Sequence, residues 1–411
     1  MTHSVASAIP GADVKSAISP QTMQDLASGF DTGRLRHDDH EDVRAQLALE
    51  GKRRVDGLVF EKLFQRRLLA VSSERQDLVV TTGWHIGYDD DGIAAYWFRL
   101  QKDEADWNAC DEAVAGRVLA DGKSAGLPAP EVVQVRFDMQ RNGFLGRMYG
   151  SGKSSAYNAL SKILDTLPRK KAGGQPRSMD APAGLCAPAV TKLAAMDVED
   201  MAWLSVQRRF FNCVLGAALG ADPADIYAFV LNSRAELRQV EFKRKYPSRT
   251  YALTIDRYPH VGTVDLMTKL GITPLLVLLV APFWTKEGEP VLWLNTVSTH
   301  NRWRWLAAVL GGPGTYACED SEGGAQGEPA PDGHTVTQTS DRDSGHRGLV
   351  RRQWAVSWER LRLLHEGLRL GQKGGATLAA ILDYGHTDGL PVISGDDLAS
   401  LKLPVTYRYF T

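Results

Sequence analysis

The sequence feature that most constrains the fold of this chain is a pair of short strand-like runs joined by a polar turn. The runs are residues 226–231 and 237–242, and the Asn-Ser-Arg sequence at 232–234 lies between them. β-Branched and aromatic residues on both sides of such a turn are typical of a β-hairpin. Because side chains on a strand alternate with period two, Glu241 and Lys243 are expected on the same face of the second strand.

Asp225 stands immediately before the first run. The start of one hairpin strand lies beside the end of the other, so the pattern predicts that Asp225 meets Glu241 and Lys243. Two carboxylates can hold Mg²⁺ through oxygen ligands and leave room for waters and phosphate oxygens. A lysine beside them can orient or deprotonate a water and offset the charge that develops during attack on a phosphodiester. These three residues are the predicted catalytic group, with Asp225 and Glu241 as metal ligands.

The same stretch resembles the PD-(D/E)xK nuclease superfamily. Fifteen residues separate Asp225 from the Glu-Phe-Lys sequence at 241–243, and two basic residues follow. The family's Pro-Asp pair is interrupted here, because Ala224 stands between Pro223 and Asp225. The resemblance covers about a quarter of the chain. It implies an α/β core and Mg²⁺-dependent hydrolysis of phosphodiester bonds, with Lys243 positioning the attacking water.

In this superfamily a helix packed before the hairpin often supplies another acidic ligand. Residues 197–219 have helical periodicity, and Glu199 near their start is the candidate metal ligand here. Asp256 and Asp265 are alternative acids. A nearly all-apolar strand after a helix indicates burial on both faces, as in an α/β layer. The elements expected after the hairpin, which follow the order of the nuclease core, are a strand at 251–255, a helix at 264–270 and an apolar strand at 272–280.

Two segments concentrate positive charge, although the net charge of the whole chain is only −1. Residues 136–180 carry nine Lys or Arg against three Asp, and residues 234–249 carry six against two Glu. Such local patches suit a polyanionic partner. A solvated protein face is the alternative explanation of each patch.

Residues 152–164 have the periodicity of an amphipathic helix with a Ser-rich start, which favours an N-cap. The segment is similar to the recognition helix of winged-helix regulators, which implies insertion into a DNA major groove. The nearby Gly-Ser-Gly-Lys-Ser sequence at 150–154 lacks the spacing of a phosphate-binding loop, so no nucleotide cofactor site is predicted. The predicted nucleic-acid contacts are Lys153, Ser154, Tyr157, Lys162, Arg169, Lys170, Lys171, Arg244 and Lys245.

The predicted fold class is α/β (α+β), with a central mixed sheet flanked by helices and an N-terminal α+β domain that holds the winged-helix element. Low hydrophobicity without periodicity predicts mobile segments at the N-terminus and in the Gly- and Pro-rich region after residue 310. The predicted division is a flexible arm at 1–42, an α+β domain at 43–168, a nuclease-like core at 190–310, a disordered loop at 311–348, and a C-terminal part at 349–411 that begins with a helix at 353–370.

Composition excludes several classes of protein. The hydrophobic content of 43% and charged content of 24% are those of an ordinary globular chain. Its four cysteines form no CxxC pair, which argues against a zinc ribbon and favours reduced thiols in the cytoplasm. No leader-like segment opens the chain, and the longest apolar run, at 272–284, is too short for a bilayer span. We therefore expect no membrane partner.

These observations favour a Mg²⁺-dependent endonuclease that hydrolyses phosphodiester bonds in nucleic acid, with DNA as the favoured substrate and defence or a mobile element as a compatible setting. The alternatives are a non-catalytic DNA-binding protein, such as a replication initiator or regulator, and a structural subunit of a nucleoprotein complex. A homodimer or a multisubunit complex is compatible with each. Substitution of Asp225 or Lys243 would separate the first hypothesis from the others.

Overall fold

A computed structural model describes residues 52–403 of the chain. The segments outside this description are residues 1–51, 90–92, 128, 139, 142, 151–155, 167–197, 216–217, 220–222, 246–252, 257–259, 283–293, 295, 317–334, 339–349 and 404–411. The predicted N-terminal arm therefore lies outside the described residues, as does most of the predicted loop at 311–348.

The described part of the chain combines helices with three sheets. The helices are α1 (Lys52–Glu74), α2 (Ala109–Asp121), α3 (Leu160–Leu164), α4 (Val198–Arg209), α5 (Gly262–Lys269), α6 (Gly371–Tyr384) and α7 (Gly395–Ser400). A π-helical segment at Phe210–Leu215 extends α4, and a 3₁₀ helix spans Val297–Arg302. The strands are β1 (Val79–Thr81), β2 (Trp84–Gly87), β3 (Tyr96–Gln101), β4 (Glu131–Asp138), β5 (Gly143–Met148), β6 (Asn158–Ala159), β7 (Ala224–Ile226), β8 (Ala228–Leu231), β9 (Leu237–Lys245), β10 (Thr254–Asp256), β11 (Thr273–Val280), β12 (Arg304–Val309), β13 (Thr335–Gln338), β14 (Val350–Ala355) and β15 (Arg362–Glu366).

The first sheet has six strands in the order β1-β8-β9-β11-β12-β15. β8 and β9 form the predicted antiparallel hairpin, and β9 and β11 run parallel after the crossover through α5. On one face, Phe64 of α1 stacks on Phe242 of β9 with ring centroids 4.7 Å apart. On the other face, Leu276 and Leu278 of β11 pack in a core cluster with Val264 of α5. Because both faces are covered, β11 is apolar along its length, as the sequence predicts.

The second sheet also has six strands, in the order β6-β5-β4-β3-β2-β7. Its β3–β4 pair is parallel and its other pairs are antiparallel. Val114 of α2 packs on one face beside Trp84 and Trp97, whereas Phe210 packs on the other face beside Phe98. Two mixed sheets with helices on their faces confirm the predicted α+β class.

A buried ion pair joins the two sheets. Arg99 of β3 and Asp111 of α2 are 2% and 0% exposed, and their Nε and Oδ1 atoms lie 2.8 Å apart. Asp111 also accepts hydrogen bonds from the Thr81 hydroxyl of β1 and the Trp84 indole of β2. Since Thr81 belongs to the first sheet and Trp84 to the second, this carboxylate fixes the two sheets against each other. A buried charge of this kind is tolerated only because its partners satisfy it.

The predicted recognition helix at 152–164 is wrong over its described part. Residues 158 and 159 form β6, which pairs antiparallel with β5, and only the five residues of α3 are helical. Leu160 and Leu164 are buried in one core cluster, so their spacing produced the helical pattern without a long helix. No winged-helix element is formed by the residues that the structure describes in this region.

The predicted helix at 353–370 is also wrong. Its first residues belong to β14, which pairs with β10 on one side and β13 on the other, and its later residues include β15 at the edge of the first sheet. Apolar residues on two strands and the intervening turn happen to recur at helical spacing. The helix of this region is α6, which begins at Gly371. Within the predicted disordered loop, residues Thr335–Gln338 form β13.

The sheets also do not follow the predicted domain division. α1 and β1 precede residue 168 but belong to the layer around the hairpin. β7 follows residue 190 but belongs to the second sheet. The chain therefore passes between the two sheets more than once.

Candidate active site

Asp225 lies on β7, at the edge of the second sheet. β7 pairs antiparallel with β2, and Asp225 is directly opposite His85. The chain then passes through Tyr227 into β8 of the first sheet. The predicted single strand at 226–231 is therefore divided between two sheets. This change of sheet places Asp225 in the cleft between them, with 50% of its side-chain surface exposed.

Glu241 and Lys243 lie on β9, on one face of the strand, as the alternation predicts. The Lys243 Nζ atom is 2.7 Å from Glu241 Oε1. β9 is an interior strand, bonded to β8 and β11, so these charged side chains occupy the middle of a sheet. The side chain of Glu241 is 10% exposed and that of Lys243 28% exposed. Charges held this deep require partners, and here each is the partner of the other.

The three predicted catalytic residues are brought together by this arrangement. Asp225 and Glu241 line one small cavity, together with Gln239 and His260. The cavity has about 10 Å³ of free space, which is on the order of what one water molecule or one small ion needs. Lys243 contacts Glu241 at the same place. The carboxylates thus come from two different sheets and meet at the boundary between them.

A third acid, Glu61 of α1, lies near the group. Burial raises the pKa of Glu61; Lys243 and Arg208 oppose the shift, and the nearby carboxylates of Asp225 and Glu241 add to it. Sequence reasoning missed Glu61, because it is one of many polar residues on an amphipathic helix. This acid comes from α1, a helix that the resemblance did not single out.

The other predicted ligand, Glu199, lies in the first turn of α4. Its backbone is described but its side chain lies outside the described residues. Its neighbour Asp200 forms an ion pair with Arg66 at 2.6 Å. Of the alternative acids, Asp256 on β10 is close enough to Lys243 to raise that residue's pKa. Asp265 is exposed on α5.

The charges at the site hold one another in defined protonation states. Burial would lower the pKa of Lys243, but the carboxylates of Glu241 and Glu61 outweigh it and raise the pKa above its ordinary value. Burial raises the pKa of Glu241, and Lys243 only partly opposes this. For Asp225 the balance is reversed: burial would raise the pKa, but His85 and the nearby cations hold it low. Lys243 and Asp225 are therefore charged at neutral pH.

Two histidines flank the acids. His85 Nδ1 lies 3.2 Å from Asp225 Oδ1, and His260 Nδ1 lies 3.4 Å from Glu241 Oε1. His85 comes from β2 of the second sheet and His260 from the start of the segment that leads into α5. Neither position was singled out by sequence reasoning, since each histidine is far from the motif in the chain.

The donor set fits a hydrated magnesium ion better than a closed metal cage. No group of three or more His, Cys, Asp or Glu side chains in the described residues is arranged as a ready metal centre. Mg²⁺ characteristically keeps several waters and takes only one or two protein carboxylates, together with substrate phosphates. Asp225 and Glu241 supply such a pair, and Glu61 a third oxygen donor nearby. These residues are suited to an ion that binds together with its substrate.

The predicted nucleic-acid contacts fall into three groups. Lys153, Ser154, Arg169, Lys170 and Lys171 lie outside the described residues. Lys162 is exposed on α3. Arg244 and Lys245 are partly buried at the end of β9, where Lys245 lies near Glu241 and the Arg244 guanidinium lies 5.4 Å from the Phe60 ring centroid.

Tyr157 has protein partners of its own. The guanidinium groups of Arg136 and Arg147 lie 3.8 Å and 4.7 Å from its ring centroid. Its hydroxyl donates a hydrogen bond to Gln101 Oε1 at 3.0 Å. Tyr157 therefore anchors β6 to the second sheet, which explains its place there without a nucleic-acid contact.

Among the helices that the structure describes, none has the length and apolar content needed to cross a bilayer. Comparisons of the chain with protein-family models, with curated proteins and with solved structures find no match. The chemistry of the site must accordingly be argued from its own residues.

Proposed function

We propose that this protein is a Mg²⁺-dependent endonuclease that hydrolyses phosphodiester bonds in nucleic acid, with DNA as the favoured substrate. One observation carries the proposal. Asp225 and Glu241 line a common cavity, and Lys243 lies 2.7 Å from Glu241. Two oxygen donors and one ammonium at one point are the groups that metal-assisted phosphodiester hydrolysis requires.

In this proposal Asp225 and Glu241 hold the metal, and Glu61 supplies a further carboxylate. Bound Mg²⁺ would supply Lewis-acid chemistry, since it polarises the phosphate and acidifies a water. Lys243 donates hydrogen bonds to the attacking water and offsets the negative charge that grows on the phosphate. Its raised pKa favours this role over proton abstraction, because a lysine that keeps its proton is a donor and not a base.

The surroundings support access by a charged polymer. Asp225 is half exposed, whereas Glu241 is nearly covered, so the site opens toward solvent on the Asp225 side. Lys245 lies on the same face of the strand as Lys243 and places positive charge near Glu241, whereas Arg244 points to the opposite face, with its guanidinium 5.4 Å from the ring centroid of Phe60. Cys110, the one cysteine that the structure describes as a free thiol, is buried, which is compatible with the reducing cytoplasm that we propose as the location.

The test is cleavage of supercoiled plasmid by the purified full-length protein, with Mg²⁺ or with EDTA. We expect Mg²⁺-dependent nicking or linearisation by the natural protein. Asp225→Asn and Lys243→Met should each lower the rate by about 100-fold or more, the usual cost of removing a group that acts in the transition state. Asp396→Asn and Lys123→Met alter exposed acidic and basic residues elsewhere and serve as matched controls.

Circular dichroism and thermal unfolding would establish that the variants fold. Undiminished Mg²⁺-dependent cleavage by Asp225→Asn or Lys243→Met would contradict the assignment of these residues. Failure of the folded natural protein to cleave double-stranded DNA, single-stranded DNA and RNA with either Mg²⁺ or Mn²⁺ would contradict the proposed function itself.

A further inference from the structure

A second cavity shares Asp225 with the first. Its walls come from α1, β2 and α4, and we call it the α1–α4 cleft. It has about 60 Å³ of free space. One water molecule needs about 10–15 Å³ of free space, so the cleft has room for roughly four to six waters. A tetrahedral oxyanion is of about this size. Its polar lining is Glu61, Lys62, Gln65, Thr82, His85, Gln207, Arg208, Asp225 and Tyr227.

Lys62 is a buried cation in this cleft. It is 5% exposed, and its Nζ donates a hydrogen bond to Gln65 Oε1 at 2.9 Å. In the described part of the chain no carboxylate lies within ion-pair distance of it; Asp200, the nearest charge that favours its protonated form, is paired with Arg66. An ammonium has three donor hydrogens, and one amide oxygen satisfies only one of them. Burying a charge without a counter-ion is costly, so the arrangement indicates a ligand that supplies the negative charge.

His85 is a second incompletely satisfied group in the same wall. It is 3% exposed, and Phe210 and Phe211 enclose its ring with centroids 5.3 Å and 5.5 Å away. Its Nδ1 faces Asp225, and its Nε2 has no hydrogen-bond partner among the described residues. Buried ring nitrogens are normally paired. The aromatic packing fixes this imidazole at the edge of the cleft, where a ligand oxygen could pair with it.

Arg208 provides a second cation from the other helix. Arg208 lines the cleft from α4, with its guanidinium 5.9 Å from the ring centroid of Phe211. It also lowers the pKa values of Glu61 and Asp225, which line the same cleft. Gln65 Nε2 donates to Thr82 Oγ1 at 3.2 Å, which holds the amide between the two walls. The cleft thus has cations from two helices and neutral donors between them, together with the carboxylates of Glu61 on α1 and Asp225 on β7.

We propose that the α1–α4 cleft binds a phosphate group of the nucleic-acid strand, adjacent to the phosphate that is cleaved. That the ligand belongs to a nucleic acid rests on the proposed function. That the ligand is an anion rests on the residues of the cleft itself. Asp225 lines both cavities, so the two sites share a wall and a strand would pass from one to the other. Lys62 and Arg208 would bind the phosphate as charge-assisted donors. The phosphate is either internal to the strand or a terminal monophosphate.

The test measures binding in EDTA, where cleavage does not occur, by fluorescence anisotropy of labelled oligonucleotides on the full-length protein. We expect Lys62→Met and Arg208→Met each to weaken binding about tenfold and to lower the salt slope by about one. Inorganic phosphate should compete with the oligonucleotide on the natural protein but not on these variants. Lys123→Met and Arg369→Met remove exposed cations elsewhere and should change neither quantity.

Oligonucleotides with and without a 5′-phosphate separate the two sources. A terminal site predicts that only the phosphorylated strand distinguishes natural protein from variants, whereas an internal site predicts the same loss for both strands. Unchanged affinity and salt slope in both folded variants would overturn the inference, even if plasmid cleavage is normal. If the natural protein cleaves no nucleic acid but the variants lose phosphate binding, the inference that the cleft binds phosphate stands. Only the proposed nuclease activity is then refuted.

Discussion

Substitution of Lys62 by methionine should stabilise the protein at neutral pH. Burial lowers the pKa of this lysine from 10.5 to about 8, against the smaller opposing influence of Asp200. One pKa unit is worth 1.36 kcal/mol, so a shift of about two and a half units means that the folded state carries a penalty of about 3 kcal/mol for the charge. Methionine has a similar length and no charge, and it removes this penalty.

The substitution also has a cost. It removes the hydrogen bond from Lys62 Nζ to Gln65, and hydrogen bonds from charged groups contribute about 1.5–3 kcal/mol. Subtracting this loss of about 1.5–3 kcal/mol from the charge penalty of about 3 kcal/mol leaves an expected net gain of about 1 kcal/mol in the free energy of unfolding. A residue whose removal stabilises the fold is a residue retained for another reason, which in our proposal is the phosphate.

The gain should depend on pH with a definite sign. Between about pH 8 and pH 10.5 the unfolded lysine still holds its proton while the folded lysine has lost it. The unfolded state then binds more protons, so the natural protein becomes more stable as pH rises through this window. The advantage of the variant is therefore complete below pH 8, and it shrinks and then reverses as pH approaches 10.5.

Urea unfolding followed by circular dichroism, at neutral pH and again near the top of this window, measures both quantities. Lys123→Met is the control, because Lys123 is exposed and its replacement should change stability by less than about 0.5 kcal/mol. A variant that is clearly less stable than the natural protein at neutral pH would refute the reasoning. So would a gain of the same size at both pH values, since it would have no connection with a titrating charge.

Three further predictions concern other parts of the molecule. Asp111→Ala should cost about 3 kcal/mol, seen as a lower melting temperature in calorimetry, because it leaves the buried Arg99 with only the partly exposed Asp106 as counter-ion and removes the acceptor of the Thr81 hydroxyl and the Trp84 indole; a loss below about 1 kcal/mol would contradict this. Glu61→Gln should raise the Mg²⁺ concentration for half-maximal plasmid cleavage by about tenfold. Since burial raises the pKa of Glu61, that concentration should also rise on acidification in the natural protein and rise less in the variant; identical Mg²⁺ titrations would exclude Glu61 from the site. Gly385→Ala should cost about 1–2 kcal/mol in urea unfolding, because Gly385 ends α6 with φ +71° and an added Cβ would lie 2.5 Å from Arg238 Nε; an unchanged unfolding midpoint would contradict it.

The sequence predictions were correct where the deciding interactions are local and wrong where they join residues far apart in the chain. The hairpin of β8 and β9 was predicted correctly, because its turn and its alternating residues are local. The helices at 152–164 and 353–370 were not, because apolar spacing over a few residues does not distinguish a helix from two short strands and a turn. β14 is a strand because β10 and β13 pair with its two edges, and the residues of β14 alone do not indicate these partners.

The amino-acid sequence by itself determined that Glu241 and Lys243 share one face of a strand and that β11 is buried on both faces, since period-two alternation and continuous apolarity act between neighbouring residues. Only the tertiary structure decided that Asp225 would reach them from a strand of the other sheet, opposite His85, and that Glu61 would join from α1. Those approaches join residues far apart in the chain, and they depend on how the two sheets pack around the Arg99–Asp111 pair. The carboxylates of Glu241 and Glu61 raise the pKa of Lys243 against the effect of burial, whereas burial lowers the pKa of Lys62, so the chemistry that we propose arises from the packing as much as from the motif.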